Sequence, residues 1–252
     1  MIFRRCRRAV TLAIGLLLCV LRLGLMGLGG PSTPMRRALW LQWCCRLLVR
    51  CIGMRCRVRG TPPTQGLVVS NHLTYLDVLI YGAAVPSVFV SKIEVSRWPF
   101  FGWLTRSAGT LYVDRSSLAS AEAVSLEIVG GLRRPIPVVI FPEGTSTDGA
   151  GVLRFHSRLF EPAVAAGAPI TAAAIRHSSG DGTPESELCW YGDAEFLADL
   201  WKVFGVRGWQ AEVQFGEPRI YSDRRSAADA THDEIAAMRS SRGAERALLS
   251  VR

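Results

Sequence analysis

Six short runs of β-branched and apolar residues recur between residues 61 and 220: Leu67–Ser70, Val88–Ser91, Thr110–Val113, Ile136–Phe141, Ile170–Ile175 and Ala211–Phe215. Each has the length and composition of a buried strand. Helical patterns lie between some of them, at Tyr75–Ala84 and Ser117–Leu132. This alternation leaves few folds open. Parallel strands need long crossovers, usually helices, and a parallel sheet is covered on both faces. The pattern therefore predicts an α/β fold: a mixed, largely parallel central sheet flanked by helices. At 252 residues the chain can bury one core of this kind and carry an attachment.

The attachment is the N-terminal segment. Residues 1–60 hold twelve arginines and no acid, hence +12; residues 61–252 hold 18 basic and 21 acidic residues, hence −3, and the two sum to the net +9. A segment that is both basic and greasy reads as membrane-surface attachment, and no nucleic-acid-binding motif accompanies it. Arg4, Arg5, Arg7 and Arg8 precede an apolar run from Ala9 to Leu28, long enough to reach across a hydrocarbon layer of roughly 30 Å. Arg22 interrupts it, at a cost of about 2.5–3.5 kcal/mol that the surrounding Leu, Ile, Val and Met offset. A secretory signal would share the charged start, but Gly27 to Pro31 makes a poor cleavage site. After a turn at Pro31 to Pro34, Ala38–Gly53 carries Gln42, Arg46 and Arg50 on one helical face and Leu39, Trp40, Trp43, Leu47 and Val49 over much of the rest. That pattern predicts an interfacial helix with its arginines at the headgroups; an amphipathic core helix is the alternative.

The expected organisation is a membrane-anchoring helical hairpin at 1–60, a catalytic domain at 61–220 and a polar tail at 221–252 with one short helix around Asp233–Arg239. Positive charge flanks the apolar run on both sides, which opposes a single crossing. The expected topology is monotopic, with Arg22 snorkelling to the headgroups and the body on the cytoplasmic face of the inner membrane. Six of the seven cysteines lie in the first 56 residues, without the spacing of metal ligands.

In open α/β sheets ligands bind where strands end and helices begin. The first run ends in Ser70-Asn71-His72-Leu73-Thr74-Tyr75-Leu76-Asp77, the third in Val113-Asp114-Arg115 and the fourth in Phe141-Pro142-Glu143-Gly144-Thr145, while the fifth opens with Ala168-Pro169-Ile170. Singly, each has a plain structural explanation. Thr74 and Asp77 have capping-box spacing, His72 could be a loop histidine, Arg115 could sit in a polar turn, and Pro142-Glu143-Gly144 could be a simple turn. Together they predict more. A histidine with a carboxylate in reach is an oriented general base. No G-x-S-x-G elbow is present and Cys189 lies in a different context, so the base would activate a hydroxyl carried by the substrate. Arg115 and the backbone N–H groups around Gly144 and Thr145 suit an anionic oxygen such as phosphate. An anchored enzyme points to a lipid substrate.

These blocks resemble the glycerolipid acyltransferase family, in particular bacterial 1-acylglycerol-3-phosphate acyltransferases. Asn71-His72 to Asp77 is similar to the family's NHxxxxD block, Gly109, Tyr112 and Arg115 to its G-x-x-F/Y-x-x-R block, and Phe141 to Thr145 to its FPEGT block. A fourth, V-P-I/V-x-P block matches only at Pro169 and Ile170, with Ala172 where a second proline is usual. The resemblance implies that His72, polarised by Asp77, deprotonates the sn-2 hydroxyl of 1-acylglycerol-3-phosphate. The alkoxide would attack the thioester of acyl-CoA or acyl-carrier protein to give phosphatidic acid, with no cofactor and no metal. It implies substrate contacts from Asn71, Arg115, Glu143, Gly144 and Thr145. The alternative acceptors are lyso-ornithine lipid or another lysophospholipid; a hydrolase giving the acyl group to water is disfavoured by the missing serine elbow.

Overall fold

A computed structural model describes residues 1–30, 32–113 and 127–249, with side chains as far as residue 240. Its helices are α1 (Ile2–Leu28), α2 (Pro34–Cys51), α3 (Leu76–Ala84), α4 (Ile93–Ser96), α5 (Phe101–Ala108), α6 (127–132), α7 (Glu161–Ala165), α8 (Glu185–Leu188), α9 (Phe196–Val203) and α10 (Arg224–Leu249). The strands are β1 (Arg55–Arg59), β2 (Leu67–Ser70), β3 (Val88–Lys92), β4 (Leu111–Val113), β5 (Val138–Ile140), β6 (Ile170–Ser178) and β7 (Gln210–Phe215). They form one seven-stranded sheet in the order β1-β7-β6-β2-β5-β3-β4. Every neighbouring pair is parallel except β6 with β7. The fold is thus the mixed, largely parallel α/β sheet that the strand spacing predicts.

Both faces of the sheet are covered, and the strands show it residue by residue. Val68, Val139, Ala173 and Ile175 join a core with α2 and α3, among Cys45, Val49, Ile80 and Tyr81. Their neighbours Leu67, Val69, Val138, Ile140, Ala172 and Ala174 point the other way, toward Phe160, Ala163, Ala227 and Ile235. Period-2 alternation between two apolar layers explains why these strands read as continuous apolar runs.

Three elements differ from the sequence expectation. The sheet begins at Arg55, within the segment assigned to the anchor: β1 pairs parallel with β7 at the sheet's edge. Its alternation Arg55-Cys56-Arg57-Val58-Arg59 is a strand period carrying charge, which suits an exposed edge, and Arg59 pairs with Glu212 on β7 at 3.1 Å.

The second difference is α2, which is a core helix rather than an interfacial one. Trp40, Cys44, Cys45, Leu48 and Val49 are buried. Its polar stripe faces protein: Arg46 Nε donates to Ala83 O at 2.9 Å, at the C-terminal end of α3, and Gln42 Nε2 reaches Ala84 O. Trp40 Nε1 donates to Cys19 O on α1. Arg22 lies over the Trp43 ring, 4.4 Å from its centroid, rather than snorkelling away from the protein.

The third is the tail. In place of a short helix at Asp233–Arg239, α10 runs 26 residues and buries Ala227, Ala228, Thr231 and Ile235 against the sheet side of the body. Small residues at helical spacing carry a weak hydropathy signal, which hid this core face. The strand β6 also extends past its predicted end at Ile175 to Ser178.

Helix α1 is long and apolar enough to cross a membrane, but one side of it packs on α2 through Leu12, Leu16, Cys19, Leu23 and Met26. Its outer face exposes Val10, Ile14, Leu17, Leu18, Leu21, Leu25 and Leu28. Its start is held to the body. Arg8 Nη1 donates to Val206 O at 2.6 Å and Phe204 O at 3.1 Å, and Arg4 Nη2 to Gly205 O, so the carbonyls ending α9 are met by cations.

Candidate active site

The strand β2 delivers the site. Beyond Ser70 the ladder with β6 continues through a side chain: Asn71 Oδ1 accepts from Ile175 N at 2.9 Å and Asn71 Nδ2 donates to Ile175 O at 3.2 Å. Asn71 is buried and both ends of its amide are used. It acts as a clasp that ends the strand.

His72 follows at the carboxyl end of β2. Its backbone N–H donates to Glu143 Oε1 at 2.7 Å and its carbonyl accepts from Thr147 N at 3.0 Å. Its ring stacks on Phe141, with centroids 4.3 Å apart and planes inclined by 22°. Nδ1 lies 2.9 Å from Asp77 Oδ2. The side chain is 21% exposed, and Nε2 has no hydrogen-bond partner among the described residues. An ionised carboxylate is acceptor-only, so the proton sits on Nδ1 and the lone pair on Nε2 is available outward.

Asp77 is wholly buried in the first turn of α3. Oδ2 also accepts from Leu73 N at 2.7 Å and Thr74 N at 3.0 Å. The capping reading of Thr74-x-x-Asp77 therefore holds, and the same carboxylate oxygen also holds His72 Nδ1. Burial alone would push its pKa up; hydrogen bonds from His177 and His72 outweigh this and hold it well below the usual carboxylate range. The positive end of α3 acts in the same direction.

His177 was not anticipated from sequence. Its Nε2 lies 2.8 Å from Asp77 Oδ1, and its Nδ1 accepts from Trp209 Nε1 at 3.0 Å. It comes from the extended end of β6, a hundred residues beyond Asp77, so no local spacing announces it. The sparse histidine count was the one available signal.

Glu143 ends its strand as expected but faces inward. Oε1 takes the His72 N–H and Oε2 takes Leu153 N at 2.9 Å. Burial raises its pKa against these donors. It ties two loops together, with both carboxylate oxygens accepting backbone N–H groups. Gly144 has φ +77, a conformation glycine adopts freely, and its N–H closes a turn on Phe141 O. Thr145 is exposed beside it. Arg115 and most of the Ser117–Leu132 helix lie outside the described residues. The fourth block lies at the opposite end of the sheet. Pro169 O accepts from Leu67 N at the amino end of β2, and Ala172 sits beside Val69 in the core.

Among the described residues no cluster of three His, Cys, Asp or Glu side chains could hold a metal ion. What the site offers is an oriented imidazole with a free outward nitrogen, on a floor made by Phe141. Tyr75, three residues on, packs against Phe196 of α9 with centroids 4.9 Å apart, and Phe196 against Phe101 of α5 at 6.4 Å. An aromatic path therefore joins the loop after His72 to the exposed Phe101, Phe100 and Trp103.

The chain is similar to known proteins in sequence and in fold. The profile of the acyltransferase family matches residues 55–176, starting at the first strand of the sheet. The lyso-ornithine lipid O-acyltransferase of Pseudomonas aeruginosa is 35% identical over 192 residues, 75% of this chain and 73% of that protein. The 1-acyl-sn-glycerol-3-phosphate acyltransferase of Neisseria gonorrhoeae is 31% identical over 153 residues, 61% of this chain and 60% of that protein. The crystal structure of the 1-acyl-sn-glycerophosphate acyltransferase from Thermotoga maritima shares the fold, with a TM-score of 0.70 over 96% of each chain at 15% identity.

Proposed function

The chain belongs to the acyltransferase family, and from that premise we propose that it transfers an acyl group from acyl-CoA or acyl-carrier protein to the free hydroxyl of lyso-ornithine lipid. The carrying observation is His72: Nδ1 held by a buried carboxylate 2.9 Å away and Nε2 free. His72 Nε2 takes the hydroxyl proton while the oxygen attacks the thioester carbon. The carbon–sulfur bond breaks, and the thiolate leaves and recovers a proton from the His72 imidazolium. Asp77 stabilises that imidazolium without itself taking the proton. No covalent acyl-enzyme is needed.

The order of acceptors reverses the expectation from the blocks. The Pseudomonas aeruginosa relative is matched at higher identity and over more of its length than the Neisseria gonorrhoeae one. A second reading, 1-acylglycerol-3-phosphate as acceptor, is favoured by the retained Gly109, Tyr112 and Arg115.

The enzyme would work from the cytoplasmic face of the inner membrane, where both thioester donors are found. Support comes from the outer face of α1 together with the exposed aromatics Trp98, Phe100, Phe101 and Trp103. Helix α5, which carries the last two, packs on the hairpin through Leu104 and Ala108. Tryptophans beside an apolar helix face suit a bilayer interface.

The test offers purified protein an acyl-CoA and vesicles containing lyso-ornithine lipid or 1-acylglycerol-3-phosphate, and identifies products by mass. Acylated ornithine lipid should form faster. Phosphatidic acid as the sole product would establish the second reading; no acylated lipid from any lyso-lipid would overturn both.

A further inference from the structure

We propose that His177 is a positioning residue for the acyl transfer, a neutral imidazole that fixes the Asp77 carboxylate and thereby the orientation of His72. The inference rests on the acyl-transfer reading above and adds to it a residue outside the sequence blocks.

The hydrogen-bond chain has a fixed direction. An indole N–H can only donate, so the contact from Trp209 Nε1 makes His177 Nδ1 an acceptor. The ring proton then sits on Nε2 and donates to Asp77 Oδ1 at 2.8 Å. A charged His177 would need a proton on Nδ1 as well, facing the indole N–H. The ring is therefore a neutral donor held in one tautomer. It packs edge-on against Trp209, at 83° and 5.7 Å between centroids, and is hydrogen-bonded at both ring nitrogens.

Ionised and titratable groups around it are all engaged. On α3, Asp77 accepts from both imidazoles. On α8, Glu185 Oε1 accepts the His177 backbone N–H at 2.6 Å, and Arg239 of α10 pairs with Glu185 Oε2 at 3.0 Å. The side chains of His177 and Asp77 have no solvent exposure. With Oδ1 tied to His177 and Oδ2 tied to Leu73 N and Thr74 N, the carboxylate cannot turn. The one Oδ2 direction left is the one His72 Nδ1 uses. A histidine that merely satisfied the core would contribute to folding and leave turnover unchanged, and this difference is measurable.

The experiment compares wild type with His177→Leu, His177→Gln and Trp209→Phe, using vesicles of whichever lyso-lipid the wild type acylates. Turnover, the KM of each substrate and the urea midpoint are measured. His177→Leu should lower kcat by about 10–100-fold, the loss expected for one hydrogen bond to an ionised group, with KM values nearly unchanged. His177→Gln keeps an N–H donor and should recover much of that loss. Trp209→Phe removes the donor that bars a proton from Nδ1 and should lower kcat by a smaller factor. Nitrogen NMR of histidine-labelled wild type should show His177 neutral and protonated at Nε2. A folded His177→Leu protein with wild-type kcat overturns the proposal, as does a His177→Gln protein no better than His177→Leu. If His177→Leu does not fold, the Trp209→Phe kinetics and the NMR tautomer decide, and protonation at Nδ1 overturns it. Wild type inactive on every lyso-lipid would instead defeat the acyl-transfer reading, and the NMR tautomer would still report on this hydrogen-bond chain.

Discussion

Four donors converge on the Asp77 carboxylate: two backbone N–H groups and two imidazoles, all between 2.7 and 3.0 Å. Asp77→Asn should accordingly damage both folding and chemistry. An amide presents an NH2 group where a donor already points, so stability should fall by about 3 kcal/mol in urea unfolding. Turnover should fall by about 10²–10⁴-fold, the range for loss of an effective general base. The depressed Asp77 pKa also predicts a pH dependence. A group depressed in the folded state contributes stability above its unfolded value and loses it as pH falls. The stability advantage of wild type over Asp77→Asn should therefore be full near neutrality and shrink below the ordinary value of 3.8; an advantage that stays constant down to pH 3 would contradict the assignment. At this scale the sequence exposed what is local. His72 and Asp77 announce themselves by a five-residue spacing, whereas His177 meets them only through sheet topology. The resemblance marks Asn71 and Glu143 as substrate contacts, but it does not show that both are tied to backbone groups. Which way such a side chain turns depends on backbone groups far along the chain, at Ile175 and Leu153, which no local pattern encodes.

Among the elements, α10 departs most from its sequence appearance. Arg239 Nη1 donates to Ile175 O and Nη2 to Gly149 O, both at 2.6 Å, and Nη2 also meets Glu185. Ile175 is the residue that Asn71 clasps, and Glu185 holds the His177 backbone, so one guanidinium buttresses the site from behind. Arg239→Met keeps the aliphatic stem but removes the donors to Gly149 O and Glu185 Oε2 and one of the two donors to Ile175 O. It should lower stability by about 2–3 kcal/mol and kcat several-fold, with circular dichroism still native; unchanged urea midpoint and turnover would contradict this role. The strands of the body were legible because both sheet faces are apolar. The helices were less so. In α2 a stripe of Gln42, Arg46 and Arg50 has the same hydropathy pattern whether it meets lipid headgroups or, as Gln42 and Arg46 do here, the carbonyls ending α3. The edge strand β1 hid for another reason: its alternating arginines continue the basic run of the N-terminal segment.

At the scale of the molecule, the N-terminal arginines anchor α1 to the carbonyls after α9, and α2 returns along it into the core. The amino end of α1 and the catalytic body thus share one side of any bilayer that α1 enters. That geometry gives the monotopic expectation a structural basis different from charge alone. A cysteine placed at exposed Ala237 of α10, in a background without Cys6, Cys51 and Cys56, reports the side directly. An impermeant thiol reagent should leave it unlabelled in intact spheroplasts and label it after lysis; labelling before lysis would place the body outside. The proposed activity turns on His72 as the base that serves a lipid hydroxyl at that surface. Its most direct test is the mass of the lipid product formed by wild type and His72→Ala on vesicles carrying both lyso-lipids with acyl-CoA. Wild type should add one acyl chain to a lyso-lipid, and a natively folded His72→Ala should do so about 10²–10⁴-fold more slowly. A folded His72→Ala protein that acylates at the wild-type rate would contradict it.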